Sequence, residues 1–308
     1  MYLSNWDWLH LLIDYLYVLF VGFHLFIGIL MIICFFYYTY VSKSFISTKK
    51  LCGKIAIVTG GASGLGHELS LILSQLGVIV IIMDVVIKKK ISNPFCHYYQ
   101  CDITCITDLK RVYLEIEKHY GIPTILINNA AILGTGSIET MSFEKFKRVI
   151  DVNFISHFNM VKMFLPGMRQ KNEGHIVTIA SSLSFIGVTN LSAYCASKAA
   201  LISFHESLKY ELFYLNSNIQ TTLVVLGQLN TPLFQDIRTP SRLLAPILDP
   251  VYVSEKIVKA IVNNLSTEIY TPLYCLILPL LRFMPIKFQK IFRHLSGVDK
   301  VTHVFVDH

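Results

Sequence analysis

The sequence predicts an α/β fold, a doubly wound parallel sheet preceded by an apolar N-terminal helix and followed by an apolar, basic C-terminal segment. Two observations carry the sheet: short β-branched runs alternate with helical patterns from Lys54 onward, and a glycine-rich turn joins the first run to the first helix. A third carries the helix: from Tyr15 to Val41 there is no Asp, Glu, Lys or Arg, only His24, which exceeds the roughly 20 residues needed to cross a bilayer.

The division that follows is a membrane anchor over 1–48, a dinucleotide-binding catalytic domain over 49–265, and a membrane-associated segment over 266–308. With 308 residues, 53% of them hydrophobic, and a mean hydropathy of +0.53, the chain has enough apolar surface for one large domain and something more. Trp6, Trp8, Tyr37, Tyr38 and Tyr40 lie near the ends of the apolar run, where aromatic rings favour the membrane interface. A cleaved signal peptide would want positive charge ahead of the run. Here Asp7 and Asp14 precede it, while Lys43, Lys49, Lys50 and Lys54 follow, which places the catalytic part in the cytosol by the positive-inside rule. The run is long enough for either a single pass or a hairpin, and Gly22 and Gly28 do not decide between them.

In the domain itself, Lys54 to Val58 reads as a buried strand that enters Thr59-Gly60-Gly61-Ala62-Ser63-Gly64-Leu65-Gly66 and then a helix, Glu68 to Gln75. Glycines there let the backbone turn tightly and approach a pyrophosphate, which would rest on the amides at the helix N-terminus. Val78 to Met83 is a second strand ending in Asp84, at the distance where an acid meets the adenosine ribose hydroxyls. His97 to Ile103 reads as a third strand, Leu109 to His119 as an amphipathic helix, and Thr124 to Ile127 as a fourth strand opening into Asn128-Asn129-Ala130-Ala131. Ser142 to Met168 holds one long helical pattern, Ile176 to Ala180 a fifth strand, Ile219 to Leu226 a sixth, and Pro250 to Asn264 a further helix.

The chemistry-bearing stretch runs from Ser181 to Lys198. Tyr194 and Lys198 are four apart, so on a helix the ammonium and the phenol share a face one turn apart. A phenol with a pKa of roughly 10 is a poor proton acceptor near neutrality. A cation alongside favours the phenolate and lowers that value, and the Ser181 hydroxyl, thirteen residues earlier, would hold the substrate oxygen. Tyr-x-x-x-Lys alone is common; the glycine turn and Asp84 upstream give it a context. Ser182 is the alternative to Ser181.

Taken together, Thr59-Gly60-x-x-x-Gly64-x-Gly66, Asn128-Asn129-Ala130, Asn153, Ser181, Tyr194 and Lys198 resemble the short-chain dehydrogenase/reductase superfamily, over roughly Cys52 to Asn264. Gly174 to Ser181, Ala193 to Lys198 and the hydrophobic N-terminus are most similar to its membrane-anchored subgroup, which includes retinol and hydroxysteroid dehydrogenases of the endoplasmic reticulum and lipid droplets. The resemblance implies a Rossmann-type sheet and a cofactor site of Gly60, Ser63, Gly64, Leu65, Gly66, Asp84, Asp102, Ile103, Asn129, Ala130, Tyr194, Lys198 and Thr231. It implies that Asp102 and the Ile103 backbone meet the adenine, although Asp102 could equally cap the turn before Thr104. Asn153 would hold a water linking Lys198 to solvent, or serve simply as a packing hydrogen bond. The family normally has Gly at the place of Ala131 and Pro at Leu226; Gly227 and Thr231 fit its pattern.

Catalysis is then hydride transfer between a nicotinamide and a lipophilic alcohol or carbonyl, with Tyr194 exchanging the proton, Lys198 tuning it, Ser181 polarising the oxygen and Asn153 supporting the relay. Asp84 and the lack of Lys or Arg in 60–66 favour NAD over NADP. An NADPH-dependent lipid ketone reductase and a non-catalytic nucleotide-binding membrane protein are the alternatives. Phe234 to Pro250 occupies the place of the family's substrate lid, and its apolar character suits a sterol, retinoid or lipid, or equally the packing of the core. A homodimer follows from the resemblance alone.

The +7 charge clusters at Lys43 to Lys54, Lys88 to Lys90 and Arg282 to Arg293. The first and last clusters flank apolar segments and read as contacts with anionic headgroups, the middle one as a solvated loop, and no nucleic-acid motif accompanies them. Leu273 to Leu281 is too short and proline-broken to span a bilayer and reads as interfacial. The seven cysteines read as reduced thiols, and Cys96, His97, Cys101 and Cys105 lack the paired spacing of a zinc site, so no metal is expected. The membrane of the endoplasmic reticulum, the lipid droplet and the mitochondrial outer membrane are not distinguished by the sequence.

Overall fold

The computed structural model describes residues 15–32, 51–87, 90–235, 237 and 245–299. The aromatic and charged flanks of the anchor, Lys88 and Lys89, and residues 236 and 238–244 of the lid lie outside the described residues. The chain forms two units, 1–46 and 47–308.

In the first unit, Tyr15–Ile32 is a single helix, α1, of 18 residues with a mean hydropathy of 2.3 and no buried residue. At 1.5 Å per residue it is about 27 Å long, close to the thickness of a hydrocarbon core. By length and composition it can cross a membrane. The ring of His24, its one ionisable side chain besides tyrosines, bonds to the Phe20 carbonyl one turn back at 2.7 Å.

The second unit is built on seven parallel strands: β1 (Ile55–Thr59), β2 (Ile79–Asp84), β3 (Cys96–Gln100), β4 (Ile125–Asn128), β5 (Gly174–Ser181), β6 (Ile219–Leu226) and β7 (Thr267–Thr271). Their spatial order is β3-β2-β1-β4-β5-β6-β7, so the winding reverses where β1 lies between β2 and β4. This is the Rossmann-type sheet that the sequence predicts, and such a reversal is where open α/β sheets place their ligands.

Strand alternation explains the layers. Ala56 and Val58 of β1, with Val80 and Ile82 of β2, face the helices α2 (Gly64–Gln75) and α7 (Pro250–Asn263) through Leu69, Leu73, Ile257 and Ile261. Ile55, Ile57, Ile81 and Met83 face the other way, against α3 (Ile106–Tyr120), α5 (Ser156–Lys171) and α6 (Ser192–Tyr214) through Val112, Phe164 and Leu208. Both faces being covered, strands such as β1 are buried at every residue and read as continuous apolar runs.

Three elements depart from the expectation. The third strand stops at Gln100 instead of Ile103, because the Asp102 carboxylate accepts hydrogen bonds from the Thr104 amide (2.9 Å) and hydroxyl (2.7 Å) and turns the chain toward α3. The helix expected over Ser142 to Met168 is α4 (Phe143–Ile150) and α5 joined by a π-helical turn, Asp151–Ile155. Finally, the sheet does not end at β6: β7 pairs with it from Thr222↔Thr267 to Leu226↔Thr271, so a boundary at 265 cuts the sheet. After β7 come α8 (Tyr274–Ile277), a 3-10 turn and α9 (Ile286–Ser296), and Cys275 and Leu278 are buried.

Buried histidines give the unit an acid limit. His175 meets the Thr222 hydroxyl at 2.8 Å, and His205 meets that of Thr178 at 2.9 Å. Burial holds His175 and His157 at about 3 and His205 at about 4, against 6.5 for a free imidazole. The unfolded chain therefore binds protons first as pH falls below 6.5, and stability is lost from there down to about pH 4 for His205 and about pH 3 for His175 and His157, by about 2 kcal/mol per histidine at pH 5. Thermal melts at pH 7 and pH 5 should show this drop, and His175→Gln should remove roughly a third of it.

Candidate active site

The site is assembled where the winding reverses. β1 delivers Thr59, whose hydroxyl accepts the amides of Asn129 (3.0 Å) and Ala130 (3.1 Å) and donates to the Ile127 carbonyl (3.3 Å). Asn129 replies with its side-chain amide, donating to the carbonyls of Thr59 (3.0 Å) and Gly60 (3.1 Å). These bonds tie the β1 loop to the β4 loop. Gly60 and Gly64 sit at φ of +63° and +51°, which other residues adopt only with strain. Ser63 precedes α2 with an extended backbone and no side-chain cap, and the first turn carries no acid, so the helix's leading amides are left to an outside acceptor.

Gly60, Ser63, Gly64 and Leu65 border a cleft of about 220 Å³. Its walls continue through Asp84, Asp102, Ile103, Asn129 and Ala130 to Ser181, Tyr194, Lys198 and Thr231. Stretches far apart in the sequence meet around one opening because the parallel strands all end on the same side. Thr231 closes on Gly64, where an added Cβ would come within 3.2 Å of it. Gly66 does not border the cleft. A Cβ there would collide with the Gly60 carbonyl and stand 2.6 Å from the Asn129 amide, so its smallness serves the packing of α2 under the loop.

At one end, the Asp84 carboxylate takes the Ala62 amide at 3.1 Å and the Val86 amide at 3.3 Å while facing the cleft. Asp102 does both things the sequence left open: it borders the cleft, and it caps the turn at Thr104. It also pairs with Arg148 at 3.1 Å, whose guanidinium bonds the Thr104 hydroxyl at 2.7 Å and lies on the wall. Arg148 was not foreseen. Its partners are more than forty residues away, and nothing local marks it.

At the other end, Ser181 is the last residue of β5, and its hydroxyl accepts the Leu183 amide at 3.1 Å and is near enough to Tyr194 to lower the pKa of its phenol. Ser182, the alternative, instead lies by Tyr274 of α8, whose phenol pKa it lowers, and does not border the cleft. Lys198 donates to the Ile179 carbonyl at 2.8 Å, and its ammonium lies 5.8 Å from the centre of the Tyr194 ring. Both side chains are buried. Burial pushes the Tyr194 phenol well above its ordinary value, and it pulls Lys198 down to about 7. Desolvation is thus the largest influence on the phenol, and Ser181 is the group that opposes it.

Asn153 is also buried, but away from the cleft. From the π-helical turn its carbonyl oxygen accepts the Ile132 amide at 2.8 Å, and its amide donates to the Ile132 carbonyl (2.9 Å) and the Ser197 hydroxyl (3.0 Å). The extra residue of the turn aims it at the loop after β4, a use of π geometry common at functional sites. Its side chain clamps that loop to α6 and has no amide hydrogen left for a water. Ala131 takes an ordinary negative φ. Gly227 is required by a residue the sequence did not connect to it, since a Cβ would stand 2.5 Å from the Tyr274 hydroxyl.

A parallel sheet with a glycine turn at its switch point, an acid after β2 and a buried Ser-Tyr-Lys group defines a nicotinamide-dependent oxidoreductase, and its open amides and small residues fit a dinucleotide. Residues 54–242 match the short chain dehydrogenase family. The chain is 34% identical to mouse epidermal retinol dehydrogenase 2 (Mus musculus), over 83% of this chain and 86% of that protein. It is 28% identical to mouse estradiol 17-beta-dehydrogenase 11, over 83% and 89%. The structure of ligand-free aldohexose dehydrogenase from Thermoplasma acidophilum superimposes with a TM-score of 0.62 at 25% identity, over 72% of this chain and 93% of that one.

The chain belongs to the short-chain dehydrogenase/reductase family, among relatives that include retinol and hydroxysteroid dehydrogenases. It is accordingly an oxidoreductase acting on CH–OH groups with NAD or NADP. Gly66→Ala should weaken dinucleotide binding at least tenfold, read by quenching of reduced-nicotinamide fluorescence, because the loop and Asn129 must shift to admit the methyl group.

Proposed function

We propose that the chain oxidises a lipophilic alcohol of the retinoid, sterol or long-chain lipid class with NAD, from a membrane held by α1. The observation that carries the reading is the convergence of Ser181, Tyr194 and Lys198 on one wall of the cleft whose other end presents Asp84. In support, Phe234 packs against the cluster that holds Tyr194, Ile132 and Leu229 also line the cleft, and two relatives are named for retinol and estradiol.

Bound nicotinamide supplies the ring that accepts the hydride. The chain's own residues handle the oxygen and its proton. Ser181 holds the substrate oxygen by its hydroxyl, and Tyr194 takes the proton as the carbonyl forms. A protonated Lys198 steadies the phenolate that this requires and lies where it can bond a ribose hydroxyl. Asn153 acts through position: it fixes the loop carrying Ile132 and the helix carrying Lys198. At the other end Asp84 would bond the adenosine ribose hydroxyls and repel an added phosphate.

Because burial raises Tyr194, oxidation should speed up with rising pH, while carbonyl reduction should slow as the phenol loses its proton. Tyr194→Phe should lower kcat by a thousandfold or more while leaving NAD binding within a factor of about three, since the phenol supplies the proton step and not the fold. Assays of detergent-solubilised protein on a panel of lipid alcohols and ketones with both nicotinamides give the test. A strong preference for NADPH would overturn the Asp84 assignment and favour the ketone reductase, and undiminished turnover in Tyr194→Phe would remove the mechanism.

A further inference from the structure

Helix α9 is mounted inside out. An amphipathic helix on a globular unit ordinarily turns its apolar stripe inward. In α9 no residue is buried, and the stripe Phe288, Ile291, Phe292 and Leu295, spaced i, i+3, i+4, i+7, faces outward, with Phe288 60% and Leu295 76% exposed. The side that meets the unit is polar. Arg293 donates to the Gly187 carbonyl at 2.9 Å and pairs with Asp299, and the Asp299 carbonyl accepts the Thr189 hydroxyl at 2.9 Å. Arg282, just before the helix, donates to the Phe185 carbonyl at 2.9 Å. Both arginines, which the sequence assigned to headgroups, are thus committed to the loop between Ser181 and Tyr194.

We propose that this outward stripe, with Phe283 beside it at 86% exposure, is a lipid-docking surface of the catalytic unit. Charge selects the occupant. From Thr271 to Val298 there is no Asp or Glu, and the exposed Lys287 and Lys290 flank the stripe. An apolar stripe with a wholly basic margin complements acyl chains under anionic headgroups. A second copy of the chain fits worse, because a twofold contact sets the same patch against itself and brings these lysines together without an acid between them. The clasp gives the docking a consequence: Gly187 and Thr189 lie in the loop whose ends carry Ser181 and Tyr194, so lipid seated on α9 also steadies the loop over the site.

The inference leans on the membrane reading of α1 only for a nearby lipid surface, and one experiment separates the two. Full-length protein is reconstituted in phosphatidylcholine vesicles with and without phosphatidylserine, then photolabelled by a phospholipid carrying a diazirine in its acyl chain, and the labelled peptides are mapped by mass spectrometry. Label is expected both in 15–32 and in 283–295, more at the second site with phosphatidylserine. Phe288→Glu/Leu295→Glu should cut the second signal at least fivefold and keep the first, with NAD binding unchanged as the check on folding. Label in 15–32 alone overturns the docking surface and leaves the anchor. Label in 283–295 alone overturns the anchor and leaves the docking surface, whereas a stripe that is shielded and cross-links to a second copy overturns the lipid assignment.

Discussion

The hydrogen bonds between Thr59 and Asn129 are the interaction on which the rest depends. A doubly wound sheet must reverse its winding somewhere, and at that point the loops after β1 and β4 leave in opposite directions and open a gap. Thr59 and Asn129 bind the floor of the gap through four contacts to backbone atoms, so it stays a fixed width. The glycine turn, the exposed amides of α2 and the packing of Gly66 all follow from holding two backbones that close. β5, two strands along, brings Ser181 to the same rim.

Electrostatics at the reacting end are governed by burial. A phenol and an ammonium out of water both prefer their neutral forms, which raises the one and lowers the other. Burial therefore brings the pKa of Lys198 toward neutral pH and takes that of Tyr194 away from it, so ionising the phenol needs positive charge brought beside it. Spacing in the sequence predicts the pairing of Tyr194 with Lys198 but not this sign, because the sign depends on what covers them, and the cover comes from residues distant in the chain.

That distinction runs through the whole molecule. Features set by local periodicity were legible: six strands, the glycine turn and Ser181 at the end of β5 lie where the β-branched runs and small residues predict. Features set by long-range pairing were not. The π-helical turn at Asn153 exists because its amide reaches Ile132, twenty-one residues back, and the long apolar-polar pattern across it looks like an unbroken helix. β7 is half exposed and reads as an ordinary loop until β6 is found beside it. Arg282 and Arg293 look like surface charge until their carbonyl partners near Gly187 are known.

The C-terminal segment thereby changes meaning: it completes the sheet, supplies Tyr274 against Gly227 and clasps the loop between Ser181 and Tyr194. That loop adjoins the cleft in which we propose that a dinucleotide lies, from Asp84 to Lys198. A structure of the chain with NAD bound measures this most directly. The account predicts the diphosphate on the amides at the start of α2, the adenosine ribose on Asp84, and the nicotinamide ring beside Ser181 and Tyr194. A nucleotide bound outside the cleft, or one whose nicotinamide lies at the Asp84 end, would contradict it.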